Sequence, residues 1–434
     1  MRCNTCDLLE NKIKEAVDEQ QKLSFQAKKK KHLKKLQTSR QFHEHCKRDA
    51  IRQKSVLLLG DGGDKFGLPR KPVQPKCMLS REKLQISSYM VDVFFGTPQK
   101  QTFAYYYQDY NTKSAKLPGI CIESFHRTLS SLGLLSGQLK DKRLFICTDN
   151  TSKEAKNFYL LGYLQSLVSQ GMVKDALFYN LHVGHTHFEA DQSIGNDKRF
   201  LCKRHLNTLP DTIIQLNSRR KASYTAIELD SCNNWRTEIE KYFRPLHGIQ
   251  SEGWKCFLVS DDSVSCRKEY DGEYDRTKCI LKNNARSLDA ILLRPEIAPI
   301  QEVEHAVLNN IDIYKKVIPQ VHHSWWDELK QRSRSVQSHV ETGQHVPGVS
   351  QVPEVSQTPE VPEVSQVLAV SRIPDTQEMV SQNTTIDAAM TDEQDSEEEE
   401  SHEEPSSHRR SLRTRKRPYS QIHNEYLDQL QSNL

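Results

Sequence analysis

Acidic residues follow three short apolar runs in this 434-residue chain. Asp61, with Asp64, follows "VLLLG". Asp149 follows "LFICT". Glu189 and Asp191 follow "FYNLHVGHTH", which itself carries His185 and His187. A carboxylate just past a strand is held by a rigid element yet faces an open rim. Several converging there make a strongly negative pocket, costly unless divalent cations neutralise it. Mg²⁺ and Mn²⁺ prefer such oxygen ligands. Two such ions about 4 Å apart would activate water and stabilise the leaving oxygen of a phosphoryl transfer. The same residues also have plainer uses. Asp149 with Asn150 suits the cap of a helix beginning near Ser152, and "DGGD" suits a turn.

The histidines and cysteines define further candidates. His185 and His187 stand two apart, so on an extended segment they face one side. With Asp191 they suit a transition metal such as Zn²⁺. Beside the carboxylates, one of them suits a proton carrier or a phosphate contact. As ordinary loop residues they would hydrogen-bond and shape the entry to a helix. Cys3 and Cys6 form a C-x-x-C pair, with His43, His45 and Cys46 the nearest partners for a structural Zn²⁺ if the helix between folds back.

The elements that position these groups follow from pattern. Residues 1–53 read as a helical segment, with a basic face at Lys28–Lys31, Lys34 and Lys35 that is either solvated or a phosphate contact. Residues 54–225 read as a mixed α/β domain. "KSVLLLG", "LQISSYMVDVFFG" and "KQTFAYYYQD" suggest three successive antiparallel strands. Helix, strand, helix, strand and helix follow, giving β-β-β-α-β-α-β-α. That is the order of a ribonuclease-H-like fold, in which the acids end strand one, end strand four and sit on the helix after strand five. Residues 226–333 read as an extension of this core, with an amphipathic helix, a strand pair at "GWKCFLVSDDSVSCRKEYDG" and a closing helix near Trp325 and Trp326. Residues 334–434 hold a Pro/Val/Ser/Glu repeat, an acidic block and a basic cluster at Arg409–Arg417. These compositions cannot bury a core, so a disordered tail is expected. The basic cluster matches a nuclear-localisation signal or a nucleic-acid patch.

Three blocks carry a family resemblance. "DGGDKFGLP", "DNTSKEAKNFYLLGYLQSLV" and "VGHTHFEADQ" resemble, in order, the DG-x-D, DNT-x-x-ENKN and VGHTH-x-x-x-D segments of a poorly characterised domain family derived from DDE-type transposases. "CNTC" before a helix carrying His32 and Arg40 is similar to the cysteine segment that precedes that domain. The resemblance implies a ribonuclease-H-like fold, DNA strand-transfer ancestry and Mg²⁺. It also implies a triad of Asp61, Asp149 and Asp191, with Glu189 the alternative third acid. The chain departs from the pattern at Ala155, where Asn is usual, at Phe95, where a His is usual, and at Phe188, where a Glu is usual. A domesticated, catalytically inactive derivative that binds chromatin and partners through its tail is therefore the alternative to an active nuclease or transposase.

Bulk composition fits a globular core with uncovered ends. Hydrophobic residues make up 36% and net charge is +4, while mean hydropathy is -0.71. Acidic and basic blocks lie apart, which suits DNA and protein partners. There is no run of membrane-spanning length and no apolar leader, so the expectation is a soluble nuclear protein with no membrane partner. The 11 cysteines have no regular framework and read as reduced thiols.

Overall fold

The computed structural model describes residues 4–149, 155–181, 189–219, 223–249, 252–285, 290–298 and 303–341. They belong to the first of two units, Met1–Val352; the second is Pro353–Leu434. Two helices open the chain, α1 (Asn4–Glu15) and α2 (Glu19–Ile51). The Asp18 carboxylate accepts from the amides of Gln20 and Gln21 at 3.2 and 3.3 Å and starts α2 by satisfying its first N–H groups. Then follow β1 (Ser55–Leu68), β2 (Leu84–Phe94), β3 (Gln101–Gln108), α3 (Asp109–Ser131), β4 (Leu139–Thr148), α4 (Phe158–Ser169), β5 (Val173–Asn180) and α5 (Glu189–Leu201). This order matches the β-β-β-α-β-α-β-α pattern expected. After it come α6 (Leu209–Asn217), β6 (Tyr224–Glu228), α7 (Trp235–Tyr242), β7 (Cys256–Val259), β8 (Val264–Arg267), β9 (Arg276–Lys278), α8 (His305–Lys315) and α9 (His323–Glu341).

The nine strands of the described residues form one sheet in the order β6-β3-β2-β1-β4-β5-β7-β8-β9. β2 runs antiparallel to β1 and β3, while β4 is parallel to β1 and β5 to β4. The strands are buried along most of their length because helices cover both faces. One face packs Leu58, Val91, Tyr105, Ile146 and Phe178 against Phe125 of α3, Leu164 of α4 and Trp235 of α7. The other packs Leu57, Leu59, Met90, Cys147 and Tyr179 against Cys46 of α2, Ala190 of α5 and Trp326 of α9. Trp326 is fully buried and its Nε1 donates to Asn207 O at 3.1 Å, so it packs rather than reacts.

Four expectations change. β1 does not stop at "VLLLG": it continues through Asp61-Gly62-Gly63 to Leu68, paired with β2 and irregular only between Gly63 and Phe66. The "DGGD" stretch is therefore strand and not a turn. β6 pairs with β3, Thr102 opposite Tyr224, so the boundary expected after residue 225 falls inside a strand. α9 runs on to Glu341, past the point where the tail was expected to begin. α4 starts at Phe158 with Asn157 as its cap, accepting from Tyr159 and Leu160 amides at 3.1 and 3.2 Å, so Asp149 does not cap it. Among the described residues no helix is long and apolar enough to cross a membrane.

A candidate acidic site at the middle of the sheet

The site is built from the β1–β4 ladder. Gly60 of β1 faces the α3 side, where a Cβ would stand 2.5 Å from Phe125 Cζ and 2.8 Å from Tyr89 Oη. Only glycine lets the strand pass so close to α3. Strand alternation then turns Asp61 to the opposite face, the one α2 and α5 cover. The parallel ladder ends with Gly60 opposite Thr148. Asp61 follows within β1 and Asp149 is the first residue past β4, so the two backbones stand about 5 Å apart if ordinary strand spacing continues. Both are half-buried. Asn180, at the end of β5, fixes the backbone there. Its Nδ2 donates to Asp149 O at 2.7 Å and to Thr148 Oγ1 at 3.1 Å.

Helix α5 brings the remaining acids. Ala190, Ser193, Asp197 and Leu201 are its buried residues. Asp197 accepts from Tyr106 at 2.8 Å and Tyr224 at 2.6 Å and pairs with Arg219. Ile194 lies 3.6 Å from where a Gly63 Cβ would stand, and Lys198 Nζ is 2.6 Å from Asp64 Oδ2. Asp191 precedes Ile194 by three and Lys198 by seven, so it shares their stripe of the helix. Asp191 is half-buried.

Glu189 is committed elsewhere. Its carboxylate forms an ion pair with Lys47 of α2, and Oε2 is 3.6 Å from His43 Nε2. Burial opposes its ionisation, but His43 and Lys47 outweigh burial and bring its pKa down to about 2. His43 Nδ1 in turn lies 2.9 Å from the Tyr179 hydroxyl. Glu189 therefore ties α5 to α2, and Asp61, Asp149 and Asp191, all among the described residues, do not form a three-acid group placed to hold a metal ion.

The start of α5 is held from the other side by Asp92, a fully buried residue of β2. It accepts from Lys100 Nζ at 2.6 Å, from Thr102 Oγ1 at 2.5 Å and from Ser193 Oγ at 3.3 Å. Lys100 also donates to Glu189 O at 2.9 Å. Burial raises the Asp92 pKa, and Lys100 pulls it back only in part.

His185, His187 and Cys3 lie outside the described residues. Cys6 does not meet its expected partners. The Lys29–Glu10 ion pair at 2.8 Å sets the hairpin's register, and it brings Cys6 level with the residues near Leu33. His43 and Cys46 lie about three to four turns farther along and dock on the sheet, while His45 pairs with Asp49 at 3.4 Å. Among the described residues no three or more His, Cys, Asp or Glu side chains are grouped to hold a metal ion. Part of the basic face is occupied too, as Lys35 pairs with Glu269 at 3.1 Å. Sequence reasoning missed Asp92, Lys100, Lys47 and Asn180, and offered His43 as a Zn²⁺ ligand where it meets Glu189 and Tyr179. Only Asp92 had a visible signal, a charge inside the apolar run "YMVDVFF".

Residues 94–270 match a family described as a domain of unknown function, DUF7869. That span holds Asp149, Glu189 and Asp191 and leaves out Asp61 and both N-terminal helices. No curated protein and no solved structure matches the chain.

Proposed function

We propose that this chain is a nuclear, nucleic-acid-binding protein of ribonuclease-H-like architecture and DDE-transposase descent, acting on phosphodiesters with Mg²⁺ or Mn²⁺. The observation that carries the proposal is the ladder ending at Gly60 and Thr148, which makes Asp61 and Asp149 neighbours. Supporting it are the sheet order β3-β2-β1-β4-β5, an antiparallel β2 and an acid-bearing α5 after β5.

Two adjacent, half-buried carboxylates with oxygen donors suit a hard cation. Mg²⁺ is typically held by one or two carboxylates plus substrate phosphates and water, not by a closed protein cage. Asp61 and Asp149 would hold the ion. When bound, the ion supplies charge to activate water and to stabilise the leaving oxygen. The protein's part is positional. Asn180 fixes the backbone of Asp149, and Lys47, Lys100 and Asp92 fix the first turn of α5. Lys30 and Lys34, which line the α1–α2 groove with Ile13 and Leu33, are offered to backbone phosphates. The basic cluster Arg409–Arg417 adds a second phosphate contact and the nuclear address.

The test is a Mg²⁺ and Mn²⁺ titration in a plasmid-nicking assay with wild type and Asp149→Asn. Metal-dependent nicking by wild type that falls at least about a hundredfold in the variant is the expected result. If wild type does not nick, or the variant nicks equally, the enzyme reading fails. The fold then serves a non-catalytic interaction protein whose tail docks partners.

A further inference from the structure

Lys156 stands where β4 gives way to α4, and its circumstances are unusual. It is 4% exposed, between Ala155 in the apolar core and Asn157, the cap of α4. Among the described residues no carboxylate pairs with it. The charged group acting on it is another cation, Lys255. The nearby N-terminus of α4 carries the positive end of the helix dipole. Among the described residues, two ammonium groups and a helix N-terminus thus gather with no carboxylate on Lys156, while Glu269 acts on Lys255. Burial, with Lys255 in support, lowers the Lys156 pKa to about 8. Lys255 is itself lowered by burial and by Lys35, against the opposing pull of Glu269.

The place is tied to the acidic site by hydrogen bonds. Lys255 O accepts from Asn180 N at 3.1 Å. The Asn180 side chain holds Asp149 O at 2.7 Å, and among the described residues its buried Oδ1 has no partner. An uncompensated buried ammonium is costly. It is sustained where a ligand supplies the missing anion. A phosphate suits this rim because its several oxygens can be shared. One can meet an ammonium or helix N–H groups while another reaches a cation held by nearby carboxylates.

We propose that Lys156 is an anion-binding residue whose ligand is a phosphate oxyanion, supplied on the reading above by a nucleic-acid backbone. The experiment uses the full chain in EDTA, so it is independent of cleavage and of any metal at the acids. Wild type, Lys156→Met and Lys156→Arg are melted with and without inorganic phosphate. They are then titrated with labelled single- and double-stranded oligonucleotides over a range of salt.

Lys156→Met should melt above wild type without ligand and lose the upward shift that phosphate gives wild type. Its oligonucleotide affinity should fall about tenfold. The slope of log affinity on log salt should shrink by about 0.9, one phosphate contact. Lys156→Arg should keep the phosphate response. A lost phosphate response with unchanged oligonucleotide binding assigns the site to free phosphate or a nucleotide. An equal phosphate response in wild type and Lys156→Met overturns the proposal. So does a lower melting point with unchanged binding. Lys156→Gln repeats the comparison with a polar head, so a poorly folding Met variant does not decide it.

Discussion

Lys100 and Lys156 make opposite uses of a lysine at the edge of the core. At the β2–β3 end, Lys100 reaches the buried Asp92 carboxylate at 2.6 Å, Ser193 Oγ at 2.7 Å and a backbone carbonyl of α5. At the β4–α4 junction, Lys156 is the less exposed of the two, yet its charged neighbour is a like charge. The first lysine is part of the fold's own wiring. The second has no carboxylate partner among the described residues. A buried charge delivered with its partner holds elements together; one delivered alone points to something outside the chain.

The largest effect should come from emptying the partnered site. Asp92→Ala leaves Lys100, Thr102 and Ser193 facing a void, and should cost about 3–5 kcal/mol in urea unfolding. A cost below about 1 kcal/mol would erase the contrast.

Lys100→Met strands the Asp92 carboxylate and should cost about 2 kcal/mol, less because Lys100 is partly exposed. The penalty should shrink as pH falls. Burial raises the Asp92 pKa, so the folded chain takes up that proton before the unfolded chain does. A penalty that stays constant from pH 7 downward would show that Asp92 is not charged in the variant.

Glu189 should show the opposite pH signature. Its folded pKa is about 2, against an ordinary 4.5. Its contribution is complete above 4.5 and is lost as pH falls toward 2, where the unfolded chain has protonated first. Discounted for partial exposure, it is worth about 1–2 kcal/mol. Glu189→Gln should remove this part of the acid destabilisation, seen as a flatter urea midpoint against pH. An unchanged acid limb would break the assignment.

Smallest in size but opposite in sign, Lys156→Met should gain about 1 kcal/mol without ligand. A loss in the same urea assay would place Lys156 with Lys100 and end the comparison.

Much of the core was legible from local pattern. Strands such as "RLFICT" and "DALFYN" are short apolar runs, and α4 shows helical spacing with Gly171 at its end in a positive-φ conformation, φ +63. What failed was long-range. "DGGD" has the composition of a turn, and only the β2 ladder and the closeness of Phe125 make it strand. β6 is five residues long, and its parallel partner β3 lies over a hundred residues earlier. At the candidate site, the nearness of Asp61 and Asp149 was legible because each follows an apolar run that proves to be a central strand. The ties of Glu189 to Lys47 and of Asn180 to Asp149 were not. They join segments 142 and 31 residues apart, and no local pattern marks either.

Helix α2 has a consequence of another kind. Its 33 residues span about 50 Å. Lys29 grips α1 near one end, Lys35 reaches Glu269 beyond β8, and His43 and Lys47 meet Glu189 near the other. An unbroken helix is stiff along its axis, so a load on the α1 end is not absorbed on the way. One rigid rod therefore links the α1 hairpin, the β8 end of the sheet and the first turn of α5.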